Sequence, residues 1–212
     1  MSLPKLLRAA CLVVAVLAGP VGSAYAWTVG YKTVPIPCTT GCGQQDYNNW
    51  CGVASTHAVL HKLGKNISQS TLASKYGVGK ADGSAVAIER IPRVLDDYIS
   101  GFTYVRVPRV DVNSASLMAS IAQYCTDKGH LGIPCVNPYE WGQSPGLPTY
   151  VGQKQGGHYV VLRGYNNTSL SQTVYYWDPH YDHTHYGYHS ASASTFWKCL
   201  YYKTWGSQGV VY

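Results

Sequence analysis

The apolar pattern of this 212-residue chain changes period at Gly129, and that change restricts the fold more than any other feature. Before it, apolar residues recur at helical spacing. Cys51 opens a helix ending near Gly64, with Val53, Ala54, Ala58, Leu60 and Leu63 on its buried side and Asn48 or Asn49 as N-cap. Ser68 caps a second helix through Tyr76, stopped by Gly77 and Gly79. A third spans 84–99, with Val86, Ile91, Val94, Leu95 and Ile99 inward although Pro92 interrupts it, and a fourth spans 113–128 with Leu117, Met118 and Ile121. One short strand, 102–107, lies between the last two. After Gly129 the pattern reads as strands at 131–136, 158–165 and 173–178, a Gly- and Pro-rich loop at 137–155, a short helix or loop around 192–200 and a last strand. Helices first and antiparallel strands second is α+β order. No internal repeat or linker divides the chain.

The first 26 residues stand apart. Lys5 and Arg8 precede an apolar run at 9–17, Gly19 and Pro20 break it, and Ala24-Tyr25-Ala26 fits the small-x-small rule, so cleavage after Ala26 is expected to release a secreted protein spanning residues 27–212. The apolar run is too short to anchor the chain in a bilayer, and no stable membrane association is expected. The segment removes two of 16 basic residues and none of 10 acidic ones, leaving 14 against 10 and a charge of +4. No basic cluster interleaved with aromatics appears, which argues against nucleic-acid binding. Six cysteines remain: Cys38, Cys42, Cys51, Cys125, Cys135 and Cys199. If Cys51 stays free, the other five cannot all pair within one chain. Cys38 with Cys42 and Cys125 with Cys135 are the pairs that spacing suggests, and connectivity stays open.

Cys51 sits where the polar run Asp46, Asn48 and Asn49 gives way to the helix, with Gln45 six residues ahead. In a first turn, unpaired N–H groups and the positive end of the helix dipole favour a thiolate. A base and an orienting group follow from the hairpin. Placing His158 opposite Asp178 centres the turn on residue 168, inside the polar run 166–172, and pairs Val160 with Tyr176 and Leu162 with Val174. The imidazole and the carboxylate would then face each other with Cβ atoms about 5 Å apart, close enough for a hydrogen bond that fixes the tautomer and stabilises an imidazolium.

Gln45, Cys51 and Gly52, with QGGHYVVLRGY at 155–165 and YYWDP at 175–179, resemble the papain-like cysteine peptidases. They are most similar to the branch of the bacteriocin-processing, double-glycine leader peptidases and their free-standing secreted relatives. The resemblance spans almost all of 27–212 and implies a papain-like α+β fold, with N-terminal helices packed on a C-terminal antiparallel sheet. It implies Cys51 as nucleophile, His158 as base, Asp178 as orienting residue and Gln45 as side-chain donor of the oxyanion hole beside the Cys51 backbone N–H. Val53 stands where many relatives have Pro, with little chemical consequence expected. Only residues 27–44 precede Gln45, so no papain-type inhibitory segment is expected, and with no transporter membrane domain or nucleotide-binding domain in the sequence that follows, coupled export of a leader peptide is not expected either.

The implied protein is a monomeric hydrolase of polypeptides, free of metal and cofactor. An amide acyltransferase or deamidase of transglutaminase-like chemistry uses the same residues, and a disulfide-stapled binding domain is the non-enzymatic alternative. His180, His183, His185 and His189 form a His-rich tract that reads better as a polar surface loop than as a metal site. Asn66, Asn166 and Asn167 begin weak glycosylation patterns. Tyr175, Tyr176 and Trp177 suit either sheet packing or a substrate cleft.

Overall fold

Residues 29–36, 43–138, 140–141, 144–150, 156–168, 172–200 and 209–212 are described by a computed structural model. The 1–26 segment and the Cys38–Cys42 pair fall outside these residues.

Helix α1 is Cys51–Lys62, α2 is Gln69–Tyr76, α3 is Arg90–Asp96, α4 is Ala115–Lys128 and α5 is Ala193–Cys199. Where cap chemistry is local, the Ser68 cap and the Gly77 stop fall as expected: the Ser68 side chain accepts from Thr71 N–H, Ser114 likewise caps α4 by accepting from Leu117 N–H, and Gly77 and Gly129 leave their helices at positive φ. The third helix is shorter than the 84–99 expected, because Pro92 has no N–H and is tolerated only in a first turn. At α1 the N-cap is Trp50, with no side-chain bond, in place of either asparagine. Asn49 turns its amide away to the carbonyls of Gly79 (3.0 Å) and Ser84 (2.8 Å), tying the helix entrance to the neighbouring loop.

Every residue of α1 from Cys51 to Leu60 is buried, so this helix runs through the interior instead of lying along a surface. Gly52 is needed for that placement, since a Cβ there would come within 2.8 Å of the Val86 Cβ and 3.1 Å of the Tyr159 ring.

The strands are β1 (Tyr31–Thr33), β2 (Arg106–Pro108), β3 (Ile133–Val136), β4 (Glu140–Trp141), β5 (Ser144–Pro145), β6 (His158–Tyr159), β7 (Val161–Asn166), β8 (Thr173–Asp178), β9 (Gly187–Ser192) and β10 (Gly209–Val211). They form two antiparallel sheets, ordered β1-β7-β8-β9 and β2-β10-β3-β6, and the small β4-β5 pair. The architecture is α+β, helices before sheets, as the sequence pattern predicts. One helical group does not join the others. Trp177 and Val161 pack with α1, α2 and α3, whereas Val174, Tyr176 and Leu162 pack with α4 and α5, so the central hairpin is covered on both faces. Strand β8 therefore ends in three consecutive buried residues instead of alternating.

The expected hairpin register is incorrect. Val161 pairs with Trp177 and Leu162 with Tyr176, and a bulge between Leu162 and Gly164 then shifts the ladder so that Tyr165 pairs with Val174. The predicted 158–165 strand also divides at Val160. His158 and Tyr159 pair with Val136 and Cys135 of the second sheet, while 161–166 belong to the first. Continuing the observed register would set Val160 across from Asp178. His158 is then its diagonal neighbour, on the same face because the displacement is two residues, and long side chains can bridge such a diagonal of about 7–8 Å.

Cys125 and Cys135 do not form the suggested disulfide: both are free, buried thiols. Strand β3 lies between two cores, and Cys135 faces the one around α1 whereas Cys125 faces the one around α4. Among the described residues no helix is long and apolar enough to cross a membrane.

Candidate active site

Three elements distant in sequence converge at the mouth of α1. Cys51 is its first residue, His158 begins β6 and Asp178 ends β8. All three are buried, Asp178 completely. The His158 Nε2 donates to Asp178 Oδ1 at 2.7 Å, and the His158 ring lies beside the Cys51 sulfur, where its charge and ring N–H favour the thiolate. Since Nε2 is engaged by the carboxylate, Nδ1 is the nitrogen left for the sulfur.

The electrostatics of the three groups are mutually reinforcing. Burial alone would push the Cys51 thiol up, but the His158 charge, its ring hydrogen bond and the backbone N–H groups of Tyr159 and Gly52 hold it below its ordinary value. Burial would likewise lower His158. The charges and hydrogen bonds of Asp178 and Cys51 override it and raise the imidazole well above its usual range. Asp178 is held below the ordinary carboxylate value against its own burial, by the His158 charge and hydrogen bond, the His180 backbone N–H and the Tyr150 hydroxyl. Thiolate, imidazolium and carboxylate in a row are the protonation states that these interactions favour. Such an array holds a nucleophile and a proton donor at one place without external activation.

Gln45 is locked into the approach to Cys51. Its backbone N–H donates to Pro179 O (2.7 Å), which joins the approach turn to the end of β8. Its side-chain Nε2 donates to Tyr47 O (2.9 Å), the same carbonyl that accepts from Trp50 N–H (2.9 Å). One N–H of the amide is used in this way, and its Oε1 is buried without a hydrogen-bond partner. The segment is clamped on both sides by Gln69, a buried residue of α2, whose amide accepts from Asp46 N–H (3.1 Å) and donates to Gln44 O (2.7 Å).

Tyr150 and Gln69 are not singled out by the sequence, and His180 only as part of the His-rich tract. His180 carried a signal: in Asp178-Pro179-His180 the carboxylate accepts the N–H two residues on (2.9 Å), an Asx turn of a kind that Asp-Pro favours. Tyr150 lies in a stretch without periodicity, and Gln69 is one polar residue on a helix; neither position offered a pattern.

The His-rich tract is used locally. His180 accepts at Nδ1 from Asp182 N–H (3.0 Å), His189 Nε2 donates to His185 O (2.6 Å), and the His180 and His185 rings pack on Tyr150. Burial and the neighbouring His158 charge push His180 down to about 4. Among the described residues no three His, Cys, Asp or Glu side chains gather as a metal ligand set. Tyr176 and Trp177 are core residues, and Tyr175 packs edge-on against Tyr31 on the sheet surface, so these aromatics serve packing.

Comparison with known families gives a match to the model described as the Peptidase_C39 like family over residues 39–210, most of the chain. No curated protein matches it.

Proposed function

Because the chain belongs to the Peptidase_C39-like family, papain-like cysteine peptidases related to the bacteriocin-processing enzymes, we propose that it hydrolyses peptide bonds in polypeptides through Cys51, His158, Asp178 and Gln45. The support comes chiefly from His158, hydrogen-bonded to Asp178 on one side and stabilising the Cys51 thiolate on the other. The thiolate attacks a peptide carbonyl, and the oxyanion accepts from the Cys51 backbone N–H and the Gln45 side-chain amide. His158 passes its proton to the leaving amine, and the acyl group remains on sulfur. Water, deprotonated by His158, then attacks the thioester, releases the acid and restores the thiolate and imidazolium pair. Asp178 keeps the ring oriented and its cation stable throughout. Cys51 is a free thiol, which supports its use as a nucleophile over a disulfide built on it.

We further propose that residues 1–26 direct secretion and that the mature protein acts as a monomer. Digestion of a peptide library by the mature protein, beside Cys51→Ala, tests the chemistry. Cleavage by the wild type and none by the variant is expected. Amine incorporation without cleavage would replace hydrolysis by acyl transfer, and equal products from both would refute the proposal.

A further inference from the structure

Asp178 is completely buried and accepts three hydrogen bonds from protein donors on three segments. On Oδ1 it accepts from His158 Nε2 (2.7 Å) and from His180 N–H (2.9 Å). On Oδ2 it accepts from the Tyr150 hydroxyl at 2.9 Å. Tyr150 is itself completely buried and has little freedom to move. Its ring stacks on His185, with centroids 4.1 Å apart and planes 11° from parallel, and meets His180 edge-on at 5.8 Å. Its backbone is held by the Tyr150 N–H to Leu147 O bond (2.8 Å) and, behind it, Leu147 N–H to Pro138 O (2.7 Å).

We infer that Tyr150 is a positioning residue for the reaction: its hydroxyl pins Oδ2, so that Oδ1 stays turned towards His158 and the carboxylate stays ionised. Two physical reasons lead there. A buried carboxylate oxygen without a donor is costly, so loss of the hydroxyl weakens the ionised form directly. A carboxylate bonded at only one oxygen can also rotate about its last torsion, and Tyr150 is the side-chain donor that the structure gives to Oδ2. Other titratable groups facing Asp178 are His158 on β6, His180 in the following turn and Tyr176 on its own strand. Of these, His158 and the His180 backbone bond Oδ1, and none donates to Oδ2.

The inference rests on the peptidase proposal, but its test has a readout that does not. Tyr150→Phe keeps the stacked ring and removes only the donor. The pH dependence of Cys51 alkylation reports the thiolate and imidazolium pair whether or not a peptide is cleaved. Removing a donor to the charged form raises the Asp178 pKa, so the acid limb of alkylation is expected to move up by about one pH unit, and kcat/KM on any cleaved peptide to fall about tenfold. Replacing Tyr150 by 3-fluorotyrosine, a stronger donor of nearly the same shape, should move the acid limb the other way, and this holds the test open if the Phe variant folds poorly. In an Asp178→Ala background the Tyr150→Phe change should have no further effect on the profile. An alkylation profile unchanged by both substitutions would overturn the inference while leaving the peptidase proposal standing. Absence of peptide cleavage by the wild type would overturn that proposal and leave the alkylation result to be read by itself.

Discussion

Replacing Asp178 by Asn separates the charge of the orienting residue from its shape. The amide oxygen can still accept from His158 Nε2 at the 2.7 Å now held by Oδ1, and the Tyr150 hydroxyl can turn to accept from the new NH2. What disappears is a negative charge in direct contact with the imidazolium. An opposite charge at such distances shifts a pKa by roughly 1–3 units, equivalent to about 1.4–4 kcal/mol, and burial by itself acts to lower His158. The His158 pKa should therefore fall by about 1–3 units in Asp178→Asn. The sign for activity follows: the competent state needs His158 protonated, so the alkaline limb of kcat/KM moves down in pH by the same amount, with the maximum reduced. NMR titration of the His158 ring measures the shift without any substrate, and kcat/KM against pH measures its consequence. An imidazole that titrates at the same pH in wild type and variant would refute the claim that the Asp178 charge sustains the imidazolium.

Two further outcomes follow from the site and its packing. Gln45→Ala should reduce kcat by about a hundredfold or more through loss of an oxyanion donor, with the rate and pH dependence of Cys51 alkylation unchanged; an equal loss of thiol reactivity would place Gln45 in thiolate formation instead. Gly52→Ala forces a Cβ to within 2.8 Å of Val86, an overpacking expected to cost about 1–3 kcal/mol and to lower the Tm by several degrees, and unaltered thermal unfolding would contradict the close packing of α1.

Features that depend on neighbours in the chain were legible from residue types. Ser68 and Gly77 bound their helix because cap and αL chemistry act over one turn, and Ser114 and Gly129 do the same for α4. Long-range competition was not. Asn49 has the right side chain for a cap, but three acceptors around residues 79–84 claim it, and Trp50 takes the cap position. Cys125 and Cys135 are close in sequence yet face different cores across β3, which spacing could not reveal. The hairpin arithmetic missed the bulge after Leu162 and the passage of the strand into a second sheet at Val160. The side chains of His158 and Asp178 nevertheless meet, because an even displacement keeps both on one face and the imidazole spans the diagonal. Tyr150 depends on the path of a loop, and no periodic signal marks it.

Central to the account is a Cys51 sulfur ionised by His158, and the rate of its alkylation against pH in wild type and His158→Ala measures this most directly. The wild-type sulfur should react near pH 6, faster than Cys125 and Cys135, whose thiols burial pushes up. In His158→Ala the profile should move up to the ordinary thiol range or beyond. Identical profiles for the two proteins, or equal labelling of all three cysteines, would contradict it.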